Sequence, residues 1–513
     1  MAEYVKLSLS TLEVLREQNP MLMSYNVEFA EVTGGTFWKA YTPEQVAGTE
    51  EFYVAPIADG ASTLGSNDLM QVFPPINLSN EKLRNLAKQF GPVWIRVSGT
   101  WATKTYYDFD GEYTDGAVPD GYLNVLTKEQ WIGVLDFVKA VGGKLLVSVS
   151  NCEGLHTAEE PWNPSEAEKL FAFSKEYGVP IEAAEFANEP NMLSDTGFPP
   201  GYTDADYRRD QDLFFAWIKE NYPECICVGP STVGGDNVVL GKSGKAGIQT
   251  GGVEQLAKKL CNTDELLEGT KVPLDMFSYH CYYGVSERLA TAMPGGHWPV
   301  EETTSEAYLG ITANYAHTYA ALRDRYVPGG EMWITESGDA GGGGNTWAST
   351  YLEVIRLLNE LGSFSTLTTG VSFHNTLAAS DYGFLQHGTF NPRPSYFAAL
   401  LWNQLMGTTV YDSGEVIREG AHVYAYSRKD GEAGVVYLII NNSVTESTTV
   451  ELPKDANRYT LAGKDGNIRA SVMTLNGRDL VLGEGDVLPS LEGELQQAGT
   501  IELAPTTCTF LVM

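Results

Sequence analysis

Two glutamates stand at matching places in the sequence and have the chemistry needed to cleave a glycosidic bond. Glu189 follows an apolar stretch that ends at Ala187, and Glu336 follows one that ends at Thr335. Glycosidic cleavage needs one carboxylic acid to protonate the leaving oxygen and one carboxylate to attack the anomeric carbon. A single glutamate would be interpreted more simply as one of the 66 acidic residues, solvated on the surface. The matching positions favour the catalytic interpretation.

Eight short, mostly apolar stretches predict the strands that would position these glutamates. They cover residues 21–27, 93–97, 144–150, 182–187, 225–228, 275–279, 332–335 and 371–373. Amphipathic segments with helix signals lie between them, such as the capping box formed by Thr127 and Gln130. Alternation of this kind over roughly 380 residues predicts an α/β fold, a (β/α)₈ TIM barrel with long insertions. Such a barrel gathers the strand ends at one mouth, where Glu189 and Glu336 can face each other.

The sequence pattern changes after Met406. From Thr408 to Met513 the helical periodicity disappears, and short β-rich runs separated by turns predict an antiparallel β-sandwich. Residues Tyr4–Leu9 alternate between polar and apolar types and could add an N-terminal strand to that domain. We therefore predict an N-terminal strand within 1–16, a catalytic barrel over 17–405 and a β-sandwich over 406–513.

Composition and charge exclude several classes of function. The 34 basic and 66 acidic residues give a net charge of −32, which argues against a nucleic-acid partner. No run approaches the ~18 apolar residues of a membrane helix, and the first residues lack a secretory pattern. We expect a cytoplasmic protein, or a secreted one whose signal was removed. The six cysteines are predicted to be free thiols, and without HExxH, CxxC or P-loop motifs we predict no metal and no cofactor.

The segments Asn188-Glu189-Pro190 and Thr335-Glu336-Ser337 resemble those of the clan A retaining glycosidases, which are (β/α)₈ barrels. The wider sequence resembles the heparanase/β-glucuronidase family, glycoside hydrolase family 79. The resemblance covers nearly the whole chain and is weakest in residues 29–75 and 192–270. Its further motifs are Leu83–Lys104, Trp162-Asn163, His280–Tyr283, Gly341–Gly344, Tyr396–Gly407, Ser471–Gly477 and Thr509–Met513.

The resemblance implies roles for residues near the two glutamates. Glu189 would be the acid/base and Glu336 the nucleophile. Tyr282 would hydrogen-bond the nucleophile, although core packing is the alternative for a tyrosine. Asn188 would contact the sugar hydroxyl next to the anomeric carbon, and His280 would also belong to the substrate-binding set.

The resemblance also implies how a uronic acid carboxylate would be bound. The backbone N–H groups of Gly342 and Gly343 could approach an anion closely because no side chain intervenes. Tyr382 would add its hydroxyl, while Ser380 stands where the family usually has glycine. The alternative for the glycines is a merely flexible loop. At the ends of the first two strands, Glu28 and Thr100 are candidate ligands of sugar hydroxyls.

The sequence departs from polymer-cleaving heparanases in its cationic residues. Ser231–Asp236 contains no arginine pair and Met192–Asp195 no lysine pair at the equivalent places. The predicted activity is therefore a retaining exo-β-glucuronidase, which removes terminal β-D-glucuronic acid from glucuronides or glycans by double displacement. The alternatives are an endo-acting, heparanase-like enzyme that cleaves heparan sulfate and a non-catalytic carbohydrate-binding protein on a degenerate barrel.

Overall fold

Eight parallel strands form a closed barrel in which each strand pairs with the next along the chain. The computed structural model describes residues 3–9, 12–52, 69–113, 117–193, 196–236, 238, 260–290 and 295–513. The predicted barrel and all eight of its strands are confirmed. Barrel strands 1 to 8 are Met23–Glu28, Trp94–Ser98, Lys144–Ser148, Ala183–Glu185, Ile226–Val233, Met276–Tyr282, Met332–Gly338 and Gly370–His374.

Helices follow the barrel strands and cover the outside of the barrel. The Thr127 hydroxyl accepts a hydrogen bond from Gln130 N, and the Gln130 side chain returns to Thr127, which confirms the predicted capping box. The described helices are Phe29–Thr33, Pro43–Ala47, Glu81–Lys88, Lys128–Val141, Ser165–Tyr177, Asp204–Asn221, Thr263–Leu267, Glu306–Leu309, Ile311–Tyr326, Tyr351–Leu367 and Pro394–Leu405.

The inside of the barrel is apolar at one end and polar at the other. Trp94, Trp333 and Phe373 pack against each other near the amino ends of their strands, with ring centroids 5.0 and 5.8 Å apart. Further along the strands the interior carries the buried Arg96 and Glu185. The apolar cluster fills the barrel at the amino ends of the strands. The polar side chains therefore lie towards the carboxyl ends, where the active sites of such barrels are found.

The chain from Met406 onwards forms the predicted β-sandwich. Its three-stranded sheet contains Glu3–Lys6, paired in parallel with Thr448–Leu452, so the predicted N-terminal strand is confirmed. A second N-terminal strand, Val14–Glu17, pairs with Met406–Tyr411 and was not predicted. The remaining sandwich strands are His422–Arg428, Val435–Asn441, Ala456–Gly463, Met473–Leu475, Arg478–Asp479, Glu494–Gln496, Gly499–Leu503 and Thr507–Val512.

Two small two-stranded sheets lie in the segments that follow barrel strands 1 and 2. Gly35–Trp38 pairs with Met70–Phe73, and Thr105–Asp108 pairs with Asn124–Thr127. Among the described residues, no helix combines the length and the apolar character needed to cross a membrane. All six cysteines are free thiols, as predicted.

Candidate active site

Glu189 and Glu336 lie close together at the carboxyl end of the barrel. Glu189 follows barrel strand 4, and Glu336 is in barrel strand 7. The Nδ1 atom of His280, from barrel strand 6, lies 2.9 Å from Glu189 Oε1 and 3.6 Å from Glu336 Oε2. Carboxylate oxygens of the two glutamates are within 4.8 Å of each other. The barrel therefore brings the two predicted catalytic carboxylates face to face.

The backbone at Glu189 has an uncommon conformation. Its φ is 47°, in the left-handed region, and its N–H donates to Ser231 O over 3.2 Å. A non-glycine residue in this region stores strain of about 1–3 kcal/mol, and such residues cluster at functional sites. The turn directs Asn188 back into the barrel, where its Oδ1 accepts from Arg96 Nη2 over 2.7 Å.

Arg96, in barrel strand 2, is the centre of the polar network and was not predicted to belong to the site. Its Nε donates to Glu185 Oε1 over 2.8 Å, and its Nη1 donates to Glu336 Oε1 over 2.9 Å. The side chain is buried, which an arginine tolerates when its donors are paired with acceptors. The signal in the sequence was a single cation between the apolar residues Ile95 and Val97.

Glu336 also receives a hydrogen bond from a residue other than Arg96. The Tyr282 hydroxyl donates to Glu336 Oε2 over 2.6 Å, which is the contact that the family resemblance implied. Asn375, just after barrel strand 8, donates to the hydroxyls of Tyr282 and Tyr382 over 2.8 and 3.1 Å. Asn375 was also missed in the sequence, since nothing in its local pattern distinguishes it from other asparagines.

The surroundings push the pKa values of the two glutamates in opposite directions. Burial raises the pKa of the Glu189 carboxyl, and the hydrogen bond and attraction from His280 oppose this only in part. Burial would also raise the pKa of Glu336, but attraction to His280 and Arg96 and the Tyr282 hydrogen bond lower it. A pair of carboxyls separated in this way can supply one proton donor and one anion near neutral pH.

Glu28 lies at the end of barrel strand 1, as predicted, and faces the same network. Asn375 donates to Glu28 Oε1 over 3.3 Å. Burial and then the nearby Glu336 charge raise the pKa of Glu28 well above its ordinary value. Gly99 makes room for Glu28, because a Cβ there would lie 1.8 Å from Glu28 Oε2. Thr100 is only partly buried, and no hydrogen bond described within this network involves its side chain.

The glycines after barrel strand 7 adopt one defined, tightly packed loop. Gly342, Gly343 and Gly344 have φ values of 88°, 86° and 82°, which side chains disfavour. A Cβ on Gly343 would lie 2.6 Å from the Ser380 hydroxyl and 2.7 Å from Trp38. These contacts argue against the alternative of a merely flexible loop.

Ser380 and Tyr382 lie against this glycine loop. Ser380 has a φ of 59°, the conformation for which glycine is the usual residue, and its hydroxyl donates to Gly343 O over 2.9 Å. A Cβ on Gly344 would lie 3.1 Å from Tyr382 N. The predicted carboxylate ligands are thus adjacent, and Asn375 connects Tyr382 to the glutamates through Tyr282.

Three side chains of the site also form a set of metal-type ligands. One ligand atom from each of Glu189, His280 and Glu336 lies within 4.8 Å of the others. The same atoms already hydrogen-bond within the protein, with Glu189 on His280 and Glu336 on Arg96 and Tyr282. These hydrogen bonds explain why the three side chains lie close together, and an ion is not needed to explain it.

Comparison with known proteins finds relatives that are glucuronidases and heparanase-like proteins. The chain is 23% identical to baicalin-β-D-glucuronidase of Scutellaria baicalensis, over 91% of this chain and 90% of that protein. It is 24% identical to heparanase-like protein 1 of Arabidopsis thaliana, over 85% of both chains. No family model matches the chain.

Solved structures share the architecture of the whole chain. A 4-O-α-L-rhamnosyl-β-D-glucuronidase from Fusarium oxysporum 12S superposes with a TM-score of 0.62 at 12% identity, covering 99% of this chain and 100% of that one. At this identity the likeness shows the fold alone. The sequence relatives that span most of its length are glucuronidases and heparanase-like proteins, so the chain is a glycoside hydrolase similar to the heparanase/β-glucuronidase family.

Proposed function

We propose that this glycoside hydrolase is a retaining exo-β-glucuronidase. The observation that carries the proposal is the separation of the Glu189 and Glu336 oxygens, which is within 4.8 Å. Retaining enzymes hold their two carboxyls about 5–5.5 Å apart, whereas inverting enzymes need about 6.5–9.5 Å to admit a water molecule. The choice of glucuronide as substrate is supported by the relative named baicalin-β-D-glucuronidase.

In the proposed first step, the ionised Glu336 attacks the anomeric carbon while protonated Glu189 gives its proton to the leaving oxygen. The product is a covalent ester between Glu336 and the sugar. In the second step, Glu189 takes a proton from water, and the hydroxide attacks the same carbon and releases Glu336. Arg96 and Tyr282 keep Glu336 ionised and aimed. Burial keeps the proton on Glu189 before the first step.

The other predicted residues would bind the glucuronyl ring. We assign Asn188 to the hydroxyl next to the anomeric carbon and Glu28 to another ring hydroxyl. Tyr382 and the N–H groups of Gly342 and Gly343 would bind the carboxylate of the glucuronyl ring, because they supply hydrogen-bond donors and carry no negative charge.

The proposed exo action rests on charge. The segment Ser231–Asp236 offers no cation, and its one charged side chain, Asp236, accepts from Thr263 N over 2.9 Å. In the second segment without a cation pair, Met192–Asp195, residues 194–195 lie outside the described residues. With a net charge of −32, the protein would repel a sulfated polymer far more strongly than a single uronic acid.

The test compares an aryl β-D-glucuronide with heparan sulfate as substrates. We expect release of the aryl group and no shortening of the polymer. Polymer shortening without aryl release would support the endo-acting, heparanase-like alternative instead. If neither substrate is cleaved, the carbohydrate-binding alternative gains support.

A variant without the nucleophile completes this test. Glu336→Gln should reduce kcat/KM for the aryl glucuronide by about 10³-fold or more, as loss of a nucleophile does in other enzymes. Glu331→Gln is the matched control, because Glu331 lies just before the same strand and bonds Asn19 and Trp333, away from the site. An unchanged rate in Glu336→Gln would rule out the proposed mechanism.

A further inference from the structure

A buried arginine, Arg288, lies behind the glycine loop and contacts three segments besides its own. Arg288 Nη1 donates to Gly342 O over 3.2 Å and to Gly344 O over 2.8 Å. Its Nη2 donates to Asp381 Oδ2 over 2.5 Å and to Lys39 O over 2.6 Å. The side chain is 1% exposed. One cation therefore joins the segments that follow barrel strands 1, 6, 7 and 8.

The contacts of Arg288 fix the direction of peptide groups in the glycine loop. The peptide bond between Gly342 and Gly343 is trans and planar, so its N–H and C=O point in opposite directions. Since Arg288 and the Ser286 hydroxyl both donate to Gly342 O, over 3.2 and 2.8 Å, the N–H of Gly343 points away from Arg288. The next carbonyl, Gly343 O, is held by the Ser380 hydroxyl and by Asp381 N, which orients the N–H of Gly344 in the same manner.

The same guanidinium also restrains the segment that carries Tyr382. Its partner Asp381 precedes Tyr382 directly, and the Asp381 carboxylate also accepts from Tyr41 N over 3.4 Å. The Tyr41 ring lies 3.7 Å from the guanidinium carbon, and its hydroxyl donates to Gly344 O over 3.0 Å. Movement of Arg288 would release the glycine loop and the Tyr382 segment together.

We infer that Arg288 is a positioning residue for recognition of the substrate's carboxylate, with Asp381 as its partner. This inference rests on the proposed function, in which Tyr382 and the glycine N–H groups receive that carboxylate. Arg288 bonds the carbonyl side of the loop, so it acts by aiming the loop's donors. Its loss should impair substrates with a carboxylate on the ring and spare those with a neutral hydroxymethyl group.

The experiment measures kcat and KM of Arg288→Gln on dinitrophenyl β-D-glucuronide and dinitrophenyl β-D-glucoside. The activated leaving group makes slow hydrolysis of the glucoside measurable. We expect kcat/KM for the glucuronide to fall by about 10²-fold, the effect of misplacing a binding group by about 1 Å. Most of this loss should be in KM, while the glucoside rate changes little, so the glucuronide-to-glucoside preference collapses.

Two further variants make the result independent of the folding of Arg288→Gln. Asp381→Asn keeps the shape of the pair and removes its charge, and it should reduce the same preference. Arg288→Lys keeps a cation near Asp381 but loses the forked donors, so its preference should be intermediate. Arg209→Gln is the control, because Arg209 likewise bonds a loop carbonyl, Ala158 O, and a buried carboxylate, Asp210, away from the site.

The outcomes separate this inference from the proposed function. The inference would be overturned if Arg288→Gln and Asp381→Asn lost kcat/KM equally on both substrates, or if the glucuronide-to-glucoside preference stayed unchanged. Either result would show that the pair serves folding alone. A wild-type enzyme that does not hydrolyse the glucuronide would overturn the proposed function and the inference with it. Collapse of the preference in the two variants, with Arg209→Gln unaffected, would support both.

Discussion

At the residue scale, the two glutamates differ in their hydrogen-bond donors. Glu336 receives hydrogen bonds from Arg96 and Tyr282, and the attraction to His280 together with these two donors outweighs the cost of burying its charge. Glu189 is bonded to His280, and for this carboxyl burial is the dominant influence. The environment thus favours an anion at one position and a protonated acid at the other, which matches the proposed roles.

The dependence of kcat/KM on pH should be bell-shaped. In the proposed mechanism, activity requires ionised Glu336, so the acidic limb should follow the lowered pKa of that group. Activity also requires protonated Glu189, so the alkaline limb should follow the raised pKa of that group. In His280→Gln both limbs should move to higher pH, because His280 lowers the pKa of both carboxyls.

The matched control for this experiment is His317→Gln, since His317 is exposed on the helix Ile311–Tyr326. Both limbs should stay in place in that variant. Initial rates on the aryl glucuronide across the pH range measure both profiles. A downward shift of either limb in His280→Gln would contradict the described electrostatics.

The position of Glu189 and Glu336 at the barrel mouth could be predicted from the sequence, but the residues that hold them there could not. Glu189 and Glu336 follow apolar strands, and in a barrel that local position already implies the mouth. Arg96 and Asn375 matter because of partners on other strands, so their roles depend on the closed barrel. Thr100 was predicted as a ligand from its position at the end of the second strand, yet its side chain lies outside the hydrogen-bond network that the structure describes.

At the scale of elements, the glycine loop is rigid because of its packing. Trp38, from the small sheet at the mouth, and Ser380 occupy the space that a side chain at Gly343 would need. The loop is therefore held by segments that follow barrel strands 1 and 8 as well as by its own strand. This arrangement keeps its N–H groups in fixed directions, as binding of an anion requires.

Gly343→Ala should reduce both stability and activity. The new Cβ meets Ser380 and Trp38, so we expect a loss of about 2 kcal/mol or more, with reduced kcat/KM on the glucuronide. Gly388→Ala is the matched control: its φ is also positive, 74°, but no atom lies within 4 Å of the added Cβ. That variant should lose only about 1 kcal/mol and keep its activity.

Urea unfolding and kcat/KM on the same samples check this prediction. Equal effects of the two alanine substitutions would mean that the contacts behind Gly343 contribute nothing.

The strands were predictable because each is a short apolar run, while several boundaries were not. The spacing of Trp347, Tyr351, Val354 and Leu358 predicts a helix that includes Trp347, but the helix begins at Tyr351 because Trp347 O accepts from Thr350 in a preceding turn. The sequence Asn163-Pro164-Ser165-Glu166 likewise predicts Asn163 as a helix N-cap, but Pro164 occupies that position and the helix starts at Ser165. The strand Val14–Glu17 was missed because it is largely exposed and has no apolar face.

At the scale of the whole molecule, the first described strand, Glu3–Lys6, is part of the sandwich and not of the barrel. Val5 is buried between the two sheets with Ile439 and Val450. The strand Glu3–Lys6 thereby closes a core made mostly by residues more than 400 positions away. The exact boundaries at 16/17 and 405/406 stay a prediction.

Val5→Ala should destabilise the protein by roughly 1–3 kcal/mol, the cost of a small cavity in a packed core. Val14→Ala, on the neighbouring N-terminal strand, is the control, because Val14 is 55% exposed and should change stability by less than about 0.5 kcal/mol. Unfolding in urea, followed by fluorescence, compares the two. If Val5→Ala and Val14→Ala unfold alike, the N-terminal strand does not complete the sandwich core.

Chemical trapping tests the proposed retaining mechanism most directly. A 2-deoxy-2-fluoro-β-D-glucuronyl fluoride forms the glycosyl-enzyme but slows its hydrolysis, so intact mass spectrometry should detect one added fluoroglucuronyl group per chain. Peptide mapping should locate the group on Glu336, and Glu336→Gln should acquire none. An enzyme that hydrolyses the aryl glucuronide yet forms no adduct, or forms one on another residue, would contradict the proposed mechanism.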